Sequence, residues 1–158
     1  MTALASVEAS GFGQAMRQWL WLYPAVETMH IAGIALLFGS IAVLDVRLIG
    51  FSRSIAVRRL AAHVLPWTAA SFALIVPSGL AMFTAHATEF IDNPVFALKM
   101  CLILAAGLNA ALFHAGVFRN SASWDVGVAP PAAARAAGAI SLALWASVIA
   151  CGRLLAYF

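Results

Sequence analysis

The stretch "ETMHIAGIALLFGSIAVLDVRLIG", residues 27–50, sets Glu27 and His30 at the mouth of an apolar run that meets no charge until Asp45. Such a run is long enough for a helix to cross a hydrocarbon core about 30 Å thick, which takes roughly 20 residues. The rest of the chain is of the same kind. Of its 158 residues 64% are hydrophobic and only 9% charged, far too much apolar surface for a water-soluble domain of this length. The composition therefore describes an integral membrane protein.

Three further stretches repeat the pattern, giving expected spans at roughly 24–46, 60–84, 96–118 and 134–157. The breaks between them, "RLIGFSRSIAVRR", "HATEFIDNP" and "RNSASWDVGVAPPAAAR", are short and polar, and the third is rich in turn formers. Short connections make consecutive helices antiparallel neighbours. The expected fold is all-α: a single transmembrane domain over 1–158, an up-down four-helix bundle preceded by an interfacial segment at 1–23. Within that segment "MRQWLWLYP" reads as an aromatic belt on a short surface helix, and it lacks the pattern of a cleaved signal.

The net charge of +3 does not describe a nucleic-acid surface, because the arginines sit at the ends of apolar runs. Arg47, Arg53, Arg58, Arg59, Arg119 and Arg135 flank the first and third breaks, against Arg17, Lys99 and Arg153 at the other end. The positive-inside rule then places both termini in the periplasm and the protein in a bacterial inner membrane. Cys101 and Cys151 fall inside spans, so neither a disulfide framework nor a cysteine metal motif is expected.

The four histidines carry the functional reading. Counted from the flanking arginines, His63 and His114 lie roughly 6–8 Å inward at one level; His30 and His86, each three residues from a glutamate, share a level at the other face. Two imidazoles at equal depth on facing helices are what a six-coordinate b-type haem requires. The expectation is one or two haems, ligated by His30 with His86 and by His63 with His114. Gly33 would leave room for the flat ring, Glu27 would hydrogen-bond an imidazole, and Arg58, Arg59 and Arg153 would meet propionates. Lys99 opens the third span, where it can snorkel to the interface or bind a carboxylate. Asp45 and Arg47 read as anchors, Asn109 needs a partner on another helix, and Pro66 and Pro77 are expected to kink the second span. The bland alternative is that the histidines are ordinary interfacial residues.

The strings "ETMHIAGIALLFGSIAVLDVRLIG", "LPWTAASFALIVPSGLAMF", "NPVFALKMCLILAAGLNAALFH" and "SLALWASVIACGRLLAY" together resemble a family of bacterial four-span membrane proteins of unassigned activity. More distantly, the order of histidine, glycine-bearing helix, arginine loop, "SGLAMF" and lysine-bearing third span is similar to the copper-resistance D membrane domain and to the membrane-type protoporphyrinogen oxidase. The latter resemblance implies functional roles for His30 and Lys99. The paired histidines also resemble four-helix di-haem cytochromes b, in which the fourth span supplies a ligand; this fourth span has no histidine. Three functions are thus expected in order: a membrane cytochrome b-type oxidoreductase taking electrons from a quinol or a periplasmic redox partner; copper handling through the same histidines; or a non-catalytic scaffold. The last would be a homo-oligomer or a subunit of a larger membrane complex.

Overall fold

The structure, a computed structural model, describes residues 3–155 and Tyr157. Among the described residues there is no strand, and four helices are long and apolar enough to cross a membrane: α3 (Leu22–Ile49), α4 (Val57–Ala85), α6 (Pro94–Ala115) and α7 (Ala132–Leu154). This is the expected all-α membrane bundle. Two short helices precede it, α1 (Ala3–Glu8) and α2 (Gly11–Gln18), and α5 (Ala87–Asp92) joins α4 to α6.

The span ends follow local chemistry. Asn93 caps α6, its Oδ1 accepting from the Val95 amide at 2.8 Å, with Pro94 in the first turn where its missing donor costs nothing. Gly50, at φ +123°, closes α3 in a conformation that a side chain would strain. The third span stops at Ala115, short of the expected 118. Gly116 breaks it, and Val117–Trp124 winds on in 3-10 form with a kink at Asn120. The second break likewise holds the helix α5 where a loop was expected. Of the fourth span's expected end at 157, residue 156 lies outside the described residues. Pro66 and Pro77 sit inside α4, which continues through both.

Packing does not follow chain order alone. α3 packs on α4, α6 on α7, and α3 on α7, while the α4 and α6 backbones stay apart and meet through side chains, Phe83 stacking on Phe96 with centroids 6.0 Å apart. The bundle is therefore open along one side, with α3 and α7 as its back wall. Small residues set the closest approaches, as expected where lipid removes the hydrophobic drive between helices. A Cβ on Gly33 would fall 2.8 Å from Ile75 Cγ1 of α4, and one on Gly138 2.9 Å from the Asp45 carbonyl of α3. On α6, Leu104, Leu108 and Leu112 recur every four residues and are 73%, 60% and 65% exposed, a face turned to lipid.

The buried apolar core sits at the end that carries the α3–α4 and α6–α7 connections, called here the loop end. Leu44, Leu48, Val57, Val64 and Phe113 gather there around Trp124 of the 3-10 helix. The two connections are laced together. Arg47, 1% exposed, donates through Nε to the Ile55 carbonyl at 2.8 Å and through Nη2 to the Asp125 carbonyl at 3.0 Å. Ala56 offers α4 no side-chain cap, and Asp125 of the other connection supplies one, its Oδ1 accepting from the Arg58 amide at 2.8 Å.

At the opposite end α1 and α2 fold over α4 and α5. Glu8 accepts from the Thr88 amide at 2.8 Å and its hydroxyl at 2.7 Å, and Arg17 donates to the Ala85 carbonyl at 3.2 Å. Trp19 and Trp21 stand 67% and 77% exposed beside this cap, as the aromatic belt requires.

Candidate functional site

The depth of each histidine follows from the register of α3 against α4. His30 Nδ1 is 2.9 Å from Ser78 Oγ; ten residues along α3, Ser40 meets Thr68 at 2.8 Å, ten residues back along α4. The same antiparallel register puts His86 opposite Leu22, and the His86 ring does meet Tyr23, edge to face with centroids 6.1 Å apart.

His30 and His86 therefore do not share a level. Ser78, the partner of His30, and His86 are eight residues apart on α4, about 12 Å along its axis. The equal-depth expectation counted each histidine from its nearest glutamate, but α3 begins at Leu22 and carries His30 two turns into the span, while His86 lies past the last turn of α4. There its Nδ1 sits 3.1 Å from Glu89 and its ring abuts Phe90, with 38% of the side chain exposed.

The other pair is separated sideways. His63 is exposed on the outer surface of the α3–α4 hairpin, in a shallow apolar groove with Leu36, Val43 and Trp67. His114 faces the bundle interior, its ring against Phe113 and Phe118. Their helices, α4 and α6, make no close backbone approach. As placed, neither pair grips one iron from both sides.

His30 remains, and its chemistry is well defined. The Ser78 hydroxyl donates its single proton to the Leu74 carbonyl, so toward His30 it can only accept. With that proton so placed, neutral His30 donates from Nδ1 and carries its lone pair on Nε2. This is the way metal-ligating histidines are held, with the second nitrogen donating to a fixed acceptor. Gly79 admits the ring: a Cβ there would stand 3.2 Å from His30 Cε1. Gly33, the expected gap for a flat ring, is instead filled by Leu74 and Ile75.

Glu27 is exposed and lies within electrostatic range of His30, but the ring nitrogen it was expected to receive goes to Ser78. Lys99 of α6 is also within electrostatic range of His30, and its Nζ lies against α7, 3.8 Å from where a Cβ of Gly152 would stand. Arg153, at the same end, lays its guanidinium 4.9 Å from the Tyr157 ring centroid. Arg58 and Arg59 are exposed at the loop end, far along the helices from His30.

Below the level of His30 the open side leads to an interior cavity of about 230 Å³ with walls from all four spans. Asp45, Asn109, His114 and Ser141 bring polar groups to it. Asp45 is 5% exposed with Ser141 beside it, and its Oδ2 has no hydrogen-bond partner. Asn109 donates to the Ala137 carbonyl of α7 at 3.0 Å, the interhelical partner its position called for. Ser78 and this cavity were both missed from sequence. Ser78 shows only as part of "PSGL", and nothing in that string betrays its register against His30.

Comparison of the chain with protein-family models, with curated proteins and with solved structures finds no match.

Proposed function

We propose that the chain is a b-type haem protein of the bacterial inner membrane that carries electrons from a quinol or a periplasmic redox partner, holding one haem through Nε2 of His30. The observation that carries this reading is the Ser78 hydroxyl, committed to Leu74 and so forcing the ligating tautomer on His30. The donor set favours haem over a copper site built from several side chains. Among the described residues no three of His, Cys, Asp and Glu gather at one place. A lone oriented imidazole suits a porphyrin, which brings four nitrogens of its own and asks the protein for one or two.

Bound there, the haem would supply a centre that gains and loses one electron. The chain's own residues do the rest. Ser78 holds the imidazole in orientation and raises its basicity. Lys99 sets a cation near His30 from the facing side, suited to a carboxylate of the cofactor or of a substrate, and Arg153 offers a second cation at the same end. Beyond the stacking of Phe83 on Phe96 at the capped end, the α4 and α6 backbones stand apart, on the side where a flat macrocycle would enter. The arginine-rich loop end lies in the cytoplasm and the capped end in the periplasm, by the distribution of positive charge.

Purification in detergent after haem-replete expression, with visible spectra before and after dithionite, tests this. The expected result is sharp reduced bands at about one haem per chain, lost in His30→Ala and kept in His63→Ala and His86→Ala. A colourless protein, or full haem in His30→Ala, overturns the reading.

A further inference from the structure

The interior cavity contributes nothing to holding the haem, yet it contains the most exacting group in the membrane part of the chain. A carboxyl oxygen buried inside the bundle, a turn from the loop end of α3, demands a hydrogen-bond donor, and Asp45 Oδ2 has none. Ser141 hydrogen-bonds the carboxyl without reaching Oδ2, Asn109 spends one of its two amide N–H groups on the Ala137 carbonyl, and His114 brings a second polar group to the same space. The remaining wall is apolar and partly aromatic, with Phe72 and Trp145. At about 230 Å³ the cavity falls below the roughly 300–1,000 Å³ of pockets that enclose whole drug-sized ligands. It is too small for a tetrapyrrole and of a size for one substituted ring. Its open side lies between α4 and α6, where Phe72 is 40% exposed, so a ligand comes from the lipid.

We infer that this cavity binds the headgroup of a lipid-borne quinol, one hydroxyl donating to Asp45 Oδ2 and the other meeting His114, with the ring against Phe72 and Trp145 and the tail leaving between α4 and α6. A hydroquinone ring combines what the walls ask for: a flat apolar body, a hydroxyl donor at each end, and solubility in the bilayer. The inference is one of binding and includes no redox step; it rests on the electron-carrying reading only for naming a quinol as the bilayer-borne donor, and the binding stands by itself.

The test titrates the purified protein with tetramethylhydroquinone and, separately, with its dimethyl ether, which keeps the ring and lacks both donors. Tryptophan fluorescence is the readout, with Trp145→Phe to assign the signal and the haem spectrum recorded on the same samples. The expected result is a saturable change absent in Trp145→Phe, with the ether at least tenfold weaker. Asp45→Asn and His114→Ala should each weaken the quinol about tenfold or more, the loss of a buried hydrogen bond, while His63→Ala leaves it unchanged. Equal binding of ether and quinol, a response that never saturates, or indifference to both Asp45→Asn and His114→Ala overturns the quinol site. Haem bands without saturable quinol binding sink this inference alone; saturable binding to a haem-free protein sinks the haem reading and leaves the site.

Discussion

Ser78 and Arg47 show how single side chains organise a bundle that has few polar groups to use. With its proton committed to Leu74, Ser78 leaves His30 one tautomer, and Ser78→Ala removes that constraint while deleting little volume. Haem affinity should fall about 10–100-fold, the usual effect of losing a ligand's supporting hydrogen bond, as measured by competition for haem with a reference haem-binding protein. Arg47 answers to the opposite need. Its guanidinium satisfies carbonyls of both loop-end connections from a fully buried position, so Arg47→Met leaves the Ile55 and Asp125 carbonyls short of a donor. Hydrogen bonds to a charged group contribute about 1.5–3 kcal/mol each, and the variant should lose on the order of 3 kcal/mol in denaturant unfolding in detergent. The haem content of whatever folds should be unchanged.

At the scale of elements, the cap of α1 and α2 hangs on Glu8. The Thr88 amide and then its hydroxyl hold the Glu8 carboxyl below its ordinary value of 4.5, with Arg17 adding to the effect. Because the folded value is the lower one, the stabilisation is complete above the ordinary value and is lost as pH falls through the depressed one. Backbone hydrogen exchange in α5 should therefore quicken on acidification below about pH 4 relative to the intrinsic rate, and Glu8→Gln should show that faster exchange already at neutral pH. Elements also mark the boundary of what could be read from sequence. The four spans were legible because apolar runs of that length have few other uses. Short helices such as α5 and the 3-10 helix were not, since a polar segment of six to eight residues is helical only where its neighbours hold it. The histidine pairing failed for a related reason. Depth counted from a flanking charge ignores how one helix slides past the next, and that register is set by Gly33 against Ile75 and by Ser40 against Thr68. The depth of His30 inside its span was readable; its hydrogen bond to Ser78 was not.

For the whole molecule, the charge asymmetry makes a prediction about sidedness. With Cys101 and Cys151 replaced by serine or alanine, a cysteine at Ser54 or Val128 should react with a membrane-impermeant maleimide only after the cells are broken, and one at Gly11 should react in cells whose outer membrane has been permeabilised. The reverse pattern would place the arginine-rich loops in the periplasm and remove the topological part of the proposed function. The apolar envelope itself is independent of direction, since its outward leucines on α6 face lipid either way.

The gap between α4 and α6 has one more outcome. Each of the two hairpins is stiff in itself, and they are riveted at one end by Arg47 and Asp125. At the other end α5 ties them and Phe83 of α4 stacks on Phe96 of α6, so any widening falls to the stretch between, with the Gly138 contact to α3 acting as the fulcrum. A bulky residue at that fulcrum would wedge the jaws, so the width of the lipid-facing doorway is governed from the back of the molecule, on helices that never line the opening.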